Sequence, residues 1–186
     1  MTPQDAVLHA KYNRWMNERL YEAAGKLGPR ELAADRGAFF GSILGTLNHI
    51  AVGDSVWLHR FAEHPAQFAA LRPMSENPRP TSLRETLAAG LPELEAYRRK
   101  LDELIVRWAA ELTPAHLAST LSYANMAGVA SRRNFGGLIQ HFFNHQTHHR
   151  GQATTLLFQA GVDVGVTDLL ALVPDVGDDR GELPPP

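Results

Sequence analysis

The chain has 186 residues, 44% hydrophobic, 20% charged and 8% aromatic, a composition that fits one globular domain and excludes a wholly disordered, collagenous or disulfide-scaffold protein. Eighteen Lys and Arg against twenty Asp and Glu leave a net charge of -2, so no excess cation is present to neutralise a phosphate backbone and nucleic acid is not an expected partner. Without a single cysteine, thiolate zinc sites and a cysteine nucleophile are excluded, and any metal must be held by His, Asp or Glu.

The first residues, to Asn17, carry polar and charged side chains every few positions, and no later stretch approaches the length of a membrane span. A cytoplasmic protein that does not enter the membrane is therefore expected. Over 3–26, Val7, Leu8, Tyr12, Trp15, Met16 and Leu20 recur at helical spacing until Gly25, Gly28 and Pro29 end the run. A second helix is predicted from about residue 37–39, with Ile43, Leu47, Ile50, Trp57 and Phe61 on one stripe and Pro65 as its stop. The four prolines within 64–80 predict a long crossover loop that holds no regular element.

Thr81 or Ser82 followed by Glu85 resembles a capping box, and the leucines from Leu83 to Leu104, with Ile105 and Trp108, predict a third helix ending near Glu111, which Pro92 would kink or divide. Between Leu112 and Asn134, alternation around Leu121 and Tyr123 and a turn at Gly128 predict a small hairpin or irregular loop. A fourth helix is predicted from Phe135 to Gln159, stopped by Gly161. The expected fold is all-α: a four-helix bundle with a long crossover loop over 1–165, followed by a polar tail, 166–186, with a short helix at 168–172.

Nine histidines mark the chain. His9, His59, His64, His116 and His141 show no paired role and read as surface residues. His145 and His149, by contrast, are four apart on the fourth helix, about 40° apart around its axis and about 6 Å in rise, so both imidazoles can grip one ion. Leu138, Phe142 and Leu156 place the pair on the apolar seam. Buried imidazoles left unpaired would cost roughly 1–3 kcal/mol each, and a shared metal satisfies both, although buried water or backbone partners would do so too.

A third ligand candidate is His49 on the second helix, where Gly45 and Gly53 reduce bulk beside the imidazole. It sits about a quarter turn off the centre of its stripe, on a flank that can face another helix of a bundle. By contrast His148, about 100° around from His149, should point elsewhere.

Three segments together resemble the DinB/YfiT damage-inducible family: Tyr12 to Leu20, Gly41 to His49, and His141 to Gln152 with its His-x-x-x-His-Arg-Gly-Gln run. The resemblance implies a four-helix bundle holding a divalent ion, often zinc or nickel, on three histidines, which by position are His49, His145 and His149. It also implies a low-molecular-weight thiol such as bacillithiol, mycothiol or glutathione as cosubstrate, and pairing of two copies through the first or fourth helix. The leading expectation is a metal-dependent thiol S-transferase or thiol-dependent isomerase acting on small electrophiles in stress or detoxification. Tyr12, Trp15, Asn48, Trp57, His141 and Asn144 are candidates for shaping its pocket. A metal-dependent hydrolase with Asp54 or Glu18 as base, and a non-enzymatic metal-binding stress protein, are the competing readings.

Overall fold

A computed structural model describes residues 1–175. Helix α1 (Pro3–Ala24) starts from a reciprocal Thr2–Asp5 cap, α2 (Pro29–Ala33) is a single short turn, and α3 (Ile43–Ala62) starts where Ser42 Oγ accepts from the Gly45 N–H. Next come α4 (Leu91–Glu111), α5 (Pro114–Ala118), the strands β1 (Thr120–Ala124) and β2 (Ala130–Asn134), and α6 (Phe135–Gln159). The structure is thus mostly helical, and its two strands pair antiparallel with Leu121 opposite Arg133 and Tyr123 opposite Ser131. No helix among the described residues is long and apolar enough to cross a membrane.

Helix α1 packs against α4 and α6, and α3 packs against α6 and α4. Their apolar faces meet around Trp108, Phe61, Phe135 and Phe142, which are all buried and meet edge-to-face or stacked, with Phe61 5.0 Å from Trp108 and 5.3 Å from Phe135.

Several expectations need correcting. The all-α expectation gives way to a mostly helical fold with a small sheet, the 120–134 segment taking the hairpin rather than the irregular loop of its two expected forms. The proline-rich stretch does hold a regular element, a 3₁₀ turn over Ala69–Ser75 that tolerates Pro73, and the Glu111 carboxylate secures its start by accepting from the Ala69 and Ala70 N–H groups at 2.8 and 2.7 Å. Thr81 and Glu85 do bond to each other, at 2.7 Å from the Thr81 N–H, yet they close an isolated turn. The helix begins at Leu91 instead, with Pro92 in its first turn, where a missing N–H costs nothing. Of the tail, residues 169–172 form one 3₁₀ turn; positions 176–186 lie outside the described residues.

A charged network crosses the core. Arg98 of α4, 2% exposed, pairs with Asp54 of α3 and stands 3.1 Å from Asp102 one turn along its own helix. Asn13 and Asn17 of α1 each donate to Asp102 at 2.9 Å, and Arg150 of α6 donates to the Asn13 side-chain Oδ1. Burial pushes the Asp102 carboxyl up to about 6 and raises Asp54 as well, against the pull of Arg98. Removing one partner strands a buried charge. Asp102→Ala is expected to cost about 3–5 kcal/mol in urea unfolding at neutral pH, while Glu95→Ala, which breaks only the exposed pair with Arg99, should leave the midpoint where it was.

Candidate metal centre

Three imidazoles converge where α3 and α6 pack. His49, His145 and His149 each present a ring nitrogen, and these atoms all lie within 4.8 Å of one another. Ring centroids stand 4.4 Å apart for His49 and His149, 4.4 Å for His145 and His149, and 5.3 Å for His49 and His145. Among the described residues no carboxylate joins the cluster. The structure thereby brings together the three histidines singled out from the sequence.

The surroundings of the cluster assign two of the three tautomers, one through a main-chain carbonyl and one through a side-chain amide. His49 Nδ1 lies 2.9 Å from the Leu83 carbonyl oxygen, which can only accept, so Nδ1 carries the proton and Nε2 a lone pair. For His149 the tautomer follows from the orientation of the Gln152 amide: with Oε1 turned to Nδ1 at 2.8 Å and the amide nitrogen facing His148 at 3.3 Å, Nδ1 carries the proton. Both lone pairs therefore meet head-on, Nε2 to Nε2 at 3.1 Å. Two acceptors at that distance repel unless a cation stands by them, so this donor set fits a divalent ion. Orientation by a backbone carbonyl and a side-chain amide is the usual support for a ligating imidazole.

Each ligand has a local reason for its place. Asn48 pins the 83–90 segment that supplies the Leu83 carbonyl: its Oδ1 accepts from Leu87 and Ala88 N–H at 2.8 and 3.1 Å, and its Nδ2 donates to the Ala88 oxygen at 3.0 Å. Phe40 stacks on His49 with centroids 3.7 Å apart and meets His149 edge-on at 5.5 Å. Gly53 leaves room for His145, because a Cβ there would fall 2.6 Å from its Cε1. The sequence reading assigned that glycine to His49; the register of α3 against α6 gives it to His145 instead, and Gly45 faces the Phe40 backbone.

Burial holds all three imidazoles below their ordinary value. His145 is pushed down to about 3, first by burial and then by His149 and His49 beside it. His49 is lowered by burial against the opposing effect of the Leu83 carbonyl, and His149 by burial against the Gln152 bond. These shifts favour the neutral imidazole, the form that ligates.

The remaining candidates separate. Trp57 meets His141 at 5.2 Å, and His141 lies 6.1 Å from His145, so both flank the cluster. Tyr12 and Trp15 are engaged elsewhere: the Tyr12 hydroxyl donates to the Thr167 oxygen at 2.6 Å and Trp15 carries Arg19 over its ring. Asn144 is exposed. Asp54, fully buried against Arg98, is spent as an ion-pair partner, and Glu18 lies on the surface beside Arg14, so neither nominated base reaches the cluster. His148 is exposed, as expected. His59 and His64 are buried rather than on the surface, since His59 bridges the Ser55 and Asn77 carbonyls at 2.7 and 3.0 Å and His64 meets Ser119 Oγ at 2.9 Å.

Sequence reasoning missed the Leu83 carbonyl, Gln152 and Phe40. Gln152 carried a signal, standing three residues after His149 on the same helical face. The Leu83 contact carried none, since a main-chain oxygen has no residue type.

The model of the DinB family matches residues 2–175. The protein DinB of Bacillus subtilis (strain 168) is 25% identical over 159 residues, which is 85% of this chain and 87% of that protein. No solved structure matches the chain significantly.

Two outcomes test the centre. Gly53→Ala should displace His145 and cut retention of zinc as sharply as His145→Ala does, measured by metal content after gel filtration, while His148→Ala should retain it. In chelator, the unfolded imidazole titrates near 6.5 and the folded His145 near 3, so the unfolded chain takes the proton first and stability falls as pH drops below about 6.5. His145→Ala should flatten that fall in the urea midpoint between neutral and pH ~5.

Proposed function

Because this chain belongs to the DinB family, we propose that its three-histidine centre serves a divalent-metal-dependent thiol S-transferase or thiol-dependent isomerase acting on small electrophiles. The observation that carries the reading is a cluster of three imidazoles that, among the described residues, no carboxylate joins. A divalent ion on these three nitrogens, zinc or nickel in this reading, would supply Lewis-acid chemistry that lowers the pKa of a thiol or water reaching it.

Thiol is favoured over water on physical grounds. A free thiol titrates near 8.5 and needs only a modest push to become a nucleophile at neutral pH, whereas water is far weaker as an acid and generally wants a nearby protein base. Among the described residues no Asp or Glu stands in the cluster to provide one, and with no cysteine in the chain the thiol has to come from outside.

The chain's own residues prepare that encounter. Leu83 and Gln152 hold the His49 and His149 protons on Nδ1, which keeps the Nε2 lone pairs aimed inward. The Phe40 ring covers one face of His49 and excludes water there. Three protein ligands fall one short of a closed tetrahedral shell, which disfavours a purely structural ion. This reading takes the cycle of α1, α4, α3 and α6 as a four-helix bundle, the 63–90 segment as its crossover, and a cytoplasmic homodimer as the working form.

The cobalt-substituted protein, titrated with glutathione and with mercaptoethanol, tests the reading. Sulfur-to-cobalt charge-transfer absorption should appear and should be lost in His49→Ala. An unchanged spectrum with both thiols would contradict it.

A further inference from the structure

One cavity next to the centre is chemically distinctive. It measures about 580 Å³ and is bounded by Trp57 of α3, Tyr123 and Arg133 of the hairpin, and Asn134, Gly137 and His141 of the first turns of α6, a size suited to a small molecule. His141 forms its boundary with the metal centre, 6.1 Å from His145 between ring centroids. The register that puts Tyr123 opposite Ser131 and Leu121 opposite Arg133 sets Leu121, Tyr123 and Arg133 on one face of the ribbon. Leu121 is buried on that face, so the arginine is carried on the side turned to the helices.

Among the described residues, the uncommitted charge around this cavity has one sign. From Leu112 to Val162 the chain has no Asp or Glu but carries Arg132, Arg133 and Arg150. From α3, Arg60 lies over the rings of Trp57 and Tyr123 at 4.6 and 5.1 Å, while Asp54 on the same helix is committed to Arg98 and Glu63 to Arg79. Arg132 donates to Thr120 Oγ1 at 3.2 Å; Arg133 has no ion-pair or hydrogen-bond partner for its side chain among the described residues. The N-terminal end of α6 adds its positive dipole end to the same cavity. Two aromatic walls, an unengaged guanidinium and a helix start together suit a flat or apolar body ending in a carboxylate, which a guanidinium can grip through two parallel N–H bonds.

We propose that this cavity binds a small aromatic or apolar carboxylate, with Arg133 holding the carboxylate and Trp57 and Tyr123 the body, so that its reactive end lies toward His145. The role of the ligand rests on the functional reading above: the carboxylate belongs either to the electrophile or to the thiol, and the chemistry recognised is the same.

The test separates the cavity from the metal by working first without metal. Phenylacetate is titrated calorimetrically into chelator-treated full-length protein, alongside phenethylamine, which has the same ring and the opposite charge. Phenylacetate should bind, phenethylamine should not, and Arg133→Ala should weaken phenylacetate by about tenfold or more, with Arg133→Lys in between. Arg133 is exposed, so its loss leaves folding intact, as circular dichroism will verify. No binding of phenylacetate, equal binding of phenethylamine, or equal affinity in Arg133→Ala would overturn the proposal. With cobalt present, thioglycolate and mercaptoethanol distinguish the two sources. An Arg133-dependent advantage of thioglycolate assigns the carboxylate to the thiol, and equal behaviour of the two thiols beside Arg133-dependent phenylacetate binding assigns it to the electrophile. Arg133-dependent binding without any thiol charge transfer would retain the cavity and discard the thiol reaction; the converse would retain the reaction and discard the cavity.

Discussion

The Nε2 atoms of His49 and His149 face each other at 3.1 Å with their protons held on the opposite nitrogens. Two lone pairs pointed at each other inside a half-buried site form an arrangement that a polypeptide alone does not favour, and a cation relieves it. The surrounding structure is what maintains it. Asn48 fixes the segment that carries the Leu83 carbonyl, Gln152 fixes His149, Phe40 closes over His49, and Gly53 lets α6 approach α3 closely enough to bring in His145.

The polar core fixes how the helices present these side chains. Asn13 and Asn17 on α1, Asp54 on α3, Arg98 and Asp102 on α4 and Arg150 on α6 interlock through ion pairs and hydrogen bonds. Any rotation of one of these helices about its axis would leave a buried charge without its partner, at a cost of several kcal/mol. Arg150 follows His149 directly in the chain, and the two side chains diverge by about 100° around α6. Seating Arg150 against α1 therefore turns His149 toward α3. The stability of the core and the aim of the ligand set come from the same rotational constraint.

Where the chain was legible, unbroken side-chain periodicity lay between clear caps. Helix α6 falls at its expected bounds because Asn134 caps it, Gly161 with φ +81 stops it, and its apolar seam runs without interruption between them. The three histidines were legible for the same reason, as two lie on that seam and the third on the flank of α3. Illegibility arose where one local signal serves two structures. The Thr81–Glu85 pair makes its bonds whether or not a helix follows, and Pro92 reads as a breaker or as a first-turn residue depending on where the helix starts. The burial of His59 and His64 depends on carbonyls and a hydroxyl brought in by distant turns. Arg133 owes its placement to the hairpin's register, which alternation around Leu121 and Tyr123 suggested without fixing.

In the proposed centre, three imidazoles meet one ion through nitrogens whose tautomers the protein sets beforehand. Long-range proton–nitrogen correlation spectra of the histidine-labelled protein, recorded in chelator and then with one equivalent of zinc, address it directly. In chelator, His49 and His149 should show protonated Nδ1 and unprotonated Nε2. On adding zinc, one ring nitrogen of each of His49, His145 and His149 should shift together to a metal-bound position, while His148 keeps its spectrum. A proton found on Nε2 of His49 or His149 in the chelated protein, or a zinc response confined to other histidines, would contradict the account.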